Sequence, residues 1–171
     1  MPESVQLNLR ALRLPSADLK QQHGLHITLH FLGSIAEEKQ DSLIEILTQI
    51  RASAFTLKVQ GAGVFSSGSI PACLWAGVEK VEGLNTLHRA IGNSLAKFNF
   101  KVESRTYKPH ITIARLDKAN DKKSNQQIAA QFKLNNASFS ADFKVTRFVL
   151  YCSEIHNNKP HYTSLGVFEL Y

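Results

Sequence analysis

The chain is short of cysteine, of long apolar runs and of charge blocks, and each shortage closes off a class of protein. Only two cysteines, Cys73 and Cys152, occur in 171 residues, too few for a disulfide framework. Both sit in apolar, strand-like runs, which reads as reduced, buried, structural thiols in a cytoplasmic protein. No stretch approaches the ~20 apolar residues of a membrane span. The N-terminus lacks the basic run, apolar block and small-residue cleavage site of a signal peptide. Zinc-finger spacings, an RNP-type aromatic strand and a basic recognition helix are also missing. No carboxylate or cysteine set accompanies the histidines, so no metal and no other cofactor is expected.

What is present is a modest positive balance. The formal charge is +6 and the pI about 9.4, which favours an anionic partner such as nucleic acid or a phosphorylated ligand. The charges are dispersed. The densest basic run, residues 118–123, lies between and around Asp117 and Asp121 and reads as a solvated loop. The length suits one domain with a real core, which can be bilobal.

Hydrophobic periodicity gives a mixed pattern. Residues 25–32 alternate as a strand, with Ile27, Leu29 and Phe31 against His26, Thr28 and His30. Ser34 with Glu37 has the spacing of a capping box before a helix striped by Leu43, Ile46, Leu47 and Ile50. Residues 55–60 read as a strand, and the Gly/Ser-rich stretch 61–69 as a loop. A strand over 72–79, a helix over 84–98 and a short strand over 100–103 follow. The spacing predicts a strand over 110–116, a polar loop over 117–125 and a short helix over 128–132. Strands over 139–143, 146–152 and 165–170 complete the chain, with a turn at 157–160. Strands and helices without a regular βαβ rhythm point to an α+β fold. The N-terminal segment, residues 2–14, reads either as a helix through Val5, Leu9 and Leu12 or as a strand through Val5, Leu7, Leu9 and Ala11.

The segments around His26 and His110 resemble each other. Each carries His-Ile-Thr, as His26-Ile27-Thr28 and His110-Ile111-Thr112, and each opens an alternating run. A shuffled chain of this composition holds about one third of a His-x-Thr, so one copy means little and two matched copies mean more. Their spacing, about half the chain, suggests two lobes related by a pseudo-two-fold. On a strand, residues i and i+2 share a face. His26 with Thr28, and His110 with Thr112, therefore present an imidazole and a hydroxyl together, while the isoleucines anchor the opposite face. Imidazole titrates near neutrality and can serve as acid or base. Hydroxyls can donate to phosphate oxygens as charge builds there. The set suits metal-independent phosphodiester hydrolysis.

At these residues the chain resembles the 2H phosphoesterase superfamily, in particular the bacterial and archaeal RNA 2',3'-cyclic phosphodiesterases once called 2'-5' RNA ligases. The first family motif is similar to Leu25-His26-Ile27-Thr28-Leu29-His30-Phe31-Leu32-Gly33. The second, aromatic-x-Pro-His-x-Thr-x-x-Arg, matches Tyr107-Lys108-Pro109-His110-Ile111-Thr112-Ile113-Ala114-Arg115. A weaker feature matches Phe148-Val149-Leu150-Tyr151-Cys152-Ser153 and Tyr162-Thr163-Ser164-Leu165. The resemblance implies a bilobal α+β fold with two antiparallel sheets and flanking helices around a central cleft. It also implies hydrolysis of an RNA 2',3'-cyclic phosphate to a 2'-phosphomonoester, with His26 as proton donor, His110 as proton acceptor, and Thr28 and Thr112 holding the phosphate. The sequence alone leaves the two histidines interchangeable. The partner implied is RNA with a cyclic phosphate end or a related nucleotide, met by a monomer without membrane or metal.

In that family a strand precedes the first helix. The second repeat here runs strand, helix, motif, whereas the first has only helix and motif. The N-terminal segment is therefore expected as a helix, with a strand missing before Met1.

Further residues are candidates by position. His30 shares the face of His26 by parity. Tyr107 and Tyr162 are candidates to stack on a base. Arg115 is a candidate phosphate contact, although parity puts it opposite His110 unless the strand bulges. Trp75 reads as core, and His23, His88, His156 and His161 as surface residues. Two other functions fit the same motifs: a phosphodiesterase for a small cyclic or 2',5'-linked nucleotide, and a non-catalytic nucleotide-binding module.

Overall fold

Val5 and Leu9 recur one helical turn apart, and the N-terminal segment is a helix, α1 (Glu3–Ala11), that buries both. Pro2 stands at its N-cap and Glu3 in its first turn, a placement that suits the missing proline N–H and the helix dipole. A computed structural model describes residues 1–12, 19–21, 24–103, 105–117, 119–156 and 159–171. The readings made for His23, for Lys118, for the Asn157–Asn158 turn and for the side chain of His156 lie outside what is described.

After α1 come β1 (Leu19–Gln21), a 3-10 turn (Glu37–Lys39), α2 (Gln40–Thr48), β2 (Phe55–Ser67), β3 (Ile70–Val78) and α3 (Glu82–Lys97). Then follow β4 (His110–Leu116), α4 (Lys122–Asn135), β5 (Ser140–Val145), β6 (Arg147–His156) and β7 (Lys159–Glu169). Two sheets result: a five-stranded one in the order β1-β4-β3-β2-β5, and the β6–β7 hairpin. The pairs β1–β4, β2–β3, β3–β4 and β6–β7 are all antiparallel. No helix among the described residues is long and apolar enough to cross a membrane.

Several expectations need correction. Residues 25–32 do not form a strand; the first motif meets the sheet through a single antiparallel bridge, Ile27 to Ile111. The Gly/Ser stretch after Gln60 is not a loop, because β2 runs on to Ser67. Gly61 takes a positive φ of 66° where the β2–β3 register slips between Val59 and Ala62, and this bulge keeps the ladder going. Gly63 then leaves room for the Trp75 ring, which a Cβ there would strike. Ser34 does not cap the following helix. The helical segment opens at Glu37 with Ala36 as an N-cap that supplies no side-chain bond. No strand forms over 100–103. The fourth helix is longer than its apolar residues suggested, because Asp121 accepts from the Ser124 backbone N–H and caps it at 2.9 Å. Both cysteines are free, but only Cys73 is buried.

The chain divides into two compact units, each built from alternating stretches. The first comprises Met1–Thr28, Leu57–Glu79 and Lys108–Phe143. Its interior is the apolar face of the five-stranded sheet, with Leu74, Ile111 and Ile113 all fully buried, and α4 lies against β3. Asn125 of α4 is its one buried polar residue among those described, at 1% exposure. It donates to the Asp117 carbonyl at 3.1 Å and accepts from Asn120, so its burial leaves little unsatisfied. The second comprises Leu29–Thr56, Lys80–Tyr107 and Lys144–Tyr171. There Leu43 and Leu47 of α2, Leu87, Ile91 and Leu95 of α3, and the cross-strand pair Phe148 and Phe168 form one core. The two units are not the two sequence repeats. All four residues of the paired His-x-Thr motifs belong to the first unit.

Candidate active site

The site is built on β4. His110 and Thr112 alternate with Ile111, which has no exposed surface. Across from β4, Gly77 pairs with His110 and Trp75 with Thr112, so Trp75 shares the face of the motif rather than that of the core. The ladder then slips between Trp75 and Leu74, pairing Ala114 with Leu74 and Arg115 with Cys73. This bulge leaves Ile113 and Ala114 both buried in succession. It also reverses parity beyond them, so Arg115 lies on the face of His110 and Thr112. The bulge was the condition set by the sequence for that placement, and nothing in the β4 sequence announces it.

The bridge from Ile27 to Ile111 adds the first motif to the same face. His26 and Thr28 flank the bridged Ile27, as His110 and Thr112 flank Ile111.

A shared local bond fixes both rings. His26 Nδ1 donates to the Gly24 carbonyl at 2.9 Å, and His110 Nδ1 donates to the Lys108 carbonyl at 2.7 Å. In each case the acceptor is two residues upstream. Committing Nδ1–H in this way selects the tautomer in which Nε2 exchanges the proton. Reading the motif forward from the histidine missed this; its signal is the backbone at i−2, which no side chain reports.

The neighbours of His110 are aromatic. Phe65 meets the ring edge-on at 4.8 Å, and Trp75 lies 6.4 Å away. Trp75 is therefore half-buried beside the motif, not plain core. Its Nε1–H is buried without a hydrogen-bond partner among the described residues. Thr112 Oγ1 lies 3.6 Å from the Cys73 sulfur, a weak contact that steadies the hydroxyl.

The other candidates stand elsewhere. His30 belongs to the second unit, where its Nε2 donates to the His88 carbonyl at 2.8 Å and its ring stacks on His88 at 4.1 Å. His88, read from sequence as a surface residue, is instead stacked on Tyr107 as well, at 3.9 Å. Burial, and then the charge of His30, lower the His88 pKa. One face of the Tyr107 ring is thus taken. Its hydroxyl is buried without a partner among the described residues, and burial raises its pKa beyond the usual phenol range. Tyr162 is exposed on the hairpin and meets Tyr151 edge-on at 6.1 Å.

A mixed α/β fold with two antiparallel sheets, and a pair of His-x-Thr segments on one sheet face, defines the class to which the chain is matched. Residues 1–157 match the model of the 2'-5' RNA ligase superfamily, and the chain belongs to that family. It is similar to a protein named RNA 2',3'-cyclic phosphodiesterase from Archaeoglobus fulgidus, with 29% identity over 87% of this chain and 81% of that one. A protein of the same name from Aquifex aeolicus is 31% identical over 88% of this chain and 80% of that one. Among solved structures, Escherichia coli LigT complexed with 3'-AMP superposes with a TM-score of 0.78, at 25% identity, over 99% of this chain and 93% of that one.

Proposed function

We propose that the chain hydrolyses the 2',3'-cyclic phosphodiester at an RNA end to a 2'-phosphomonoester, by metal-independent acid–base catalysis. The observation that carries this reading is the matched anchoring of His26 and His110, each by Nδ1 to a carbonyl two residues upstream. Relatives named for the same activity support it.

His110 Nε2 takes a proton from a water that attacks phosphorus. The bond from phosphorus to the 3'-oxygen breaks, and His26 Nε2–H gives that oxygen its proton. The 2'-oxygen keeps the phosphate. Thr28 and Thr112 donate to the non-bridging oxygens, where charge grows in the transition state. Arg115, turned to the same face by the β4 bulge, adds a planar cation suited to a phosphate. The assignment of acid and base follows the family resemblance; the two anchors are alike. Tyr162 offers an exposed ring to a base. His30 and Tyr107 make internal contacts, which favours supporting roles for them.

The test is incubation with a 2',3'-cyclic mononucleotide and with an oligonucleotide ending in the cyclic phosphate, each with and without EDTA. The expected product is the 2'-phosphomonoester in every case. A 3'-phosphomonoester, or turnover of neither substrate, overturns the reading. Loss of activity in EDTA marks a metal enzyme instead.

A further inference from the structure

The second unit holds a pocket of about 560 Å³ that none of the four motif residues lines. That volume falls within the range of small-ligand sites, but the pocket is open to solvent rather than enclosed. One wall is the solvent side of α3. Asn85 and Arg89 project there, while Leu84, Leu87, Ile91 and Leu95 hold the other side in the core. Lys80 stands just ahead of the helix, and the stacked rings of His88 and Tyr107 complete the lining.

The charge of this pocket is unbalanced. Lys80 and Arg89 are both exposed. The ion pair found in this unit among the described residues, Arg105 with Glu103, involves neither. Glu82 is the single carboxylate in the lining. A guanidinium, an ammonium and a side-chain amide around one opening match the oxygens of a phosphate. The open form suits a chain that passes across the pocket more than a small molecule sealed inside it.

We propose that this pocket is a phosphate site of the second unit, which takes a backbone phosphodiester of an RNA strand. The inference rests on the RNA reading above, and it makes an oligonucleotide a better ligand than a mononucleotide. Lys80 and Arg89 act here by binding phosphate, not by chemistry on it.

The experiment compares wild type with the double variant Lys80→Ala/Arg89→Ala. It measures kcat/KM on the cyclic-phosphate oligonucleotide and on the 2',3'-cyclic mononucleotide. It also measures the salt dependence of binding to a 3'-phosphorylated oligonucleotide, with inorganic phosphate as competitor. The ratio of the two kcat/KM values should fall about tenfold. The slope of log affinity against log salt should become shallower by about 0.7 for each cation removed. The pair Lys80→Arg/Arg89→Lys should restore most of both. An unchanged ratio with an unchanged slope overturns the proposal. So does equal weakening of oligonucleotide and inorganic phosphate binding, which would mark a free-anion site. If wild type turns over neither substrate, the cyclic phosphodiesterase reading fails, and the binding arm still decides the pocket.

Discussion

Two pairs of histidines show how one side chain meets two fates in this molecule. His26 and His110 bind the backbone through Nδ1, each to a carbonyl two residues upstream. His30 binds the backbone through Nε2, to the His88 carbonyl, and the two rings stack. In the first pair Nδ1, the nitrogen near the main chain, is the one committed to the backbone. In the second the distal nitrogen of His30 is the one committed, and the rings serve packing. On the proposed mechanism, which nitrogen bonds inward, more than the presence of histidine, separates the chemical role from the structural one.

This contrast can be broken at several points. The largest effect is expected on activity: His26→Ala or His110→Ala should each lower kcat on a 2',3'-cyclic nucleotide by about 10²–10⁴-fold, with the thermal midpoint unmoved. Rate assays and melting curves check this together, and a variant that melts early but turns over normally would reverse the assignment. Thr112→Val, which keeps the shape and removes the donor, should cost about 10² in kcat. A change confined to KM would make Thr112 a ground-state contact only.

The opposite pattern is expected in the second unit. A Cβ at Gly92 would stand 3.1 Å from the His30 ring, so the pocket around that ring is close-fitting. His30→Ala should destabilise by about 1–3 kcal/mol, read by denaturant unfolding, with little change in kcat. A large kcat loss without destabilisation would place His30 at the substrate.

The smallest expected effect concerns His88, whose pKa is lowered by burial and then by His30. The folded state binds its proton less readily than the unfolded chain, so stability gained from the folded ring is present above the unfolded value of about 6.5. It is lost as pH falls through that value toward the lowered one. His88→Asn should therefore flatten the drop in thermal midpoint on acidification below neutrality. An unaltered pH dependence would assign that drop to other groups.

The sequence was legible where one face of an element decides its form. The alternation in β4 gave its bounds, and the apolar stripe of α3 gave that helix. Legibility failed where the deciding partner is distant in the chain. The β4 bulge that turns Arg115 depends on β3. The run of β2 past Gly61 depends on a positive φ and on the Trp75 ring. The first motif alternates like a strand, yet it pairs through one residue only. Within the site, the residue types were readable and the i−2 anchors were not, because a backbone carbonyl has no sequence signature.

The central claim is that one imidazole works protonated while the other works neutral. The pH dependence of kcat/KM on a 2',3'-cyclic nucleotide tests it most directly. A bell is predicted: the acid limb reports protonation of the base, and the alkaline limb loss of the proton from the acid. A rate that stays level from about pH 5 to about pH 9 would contradict it.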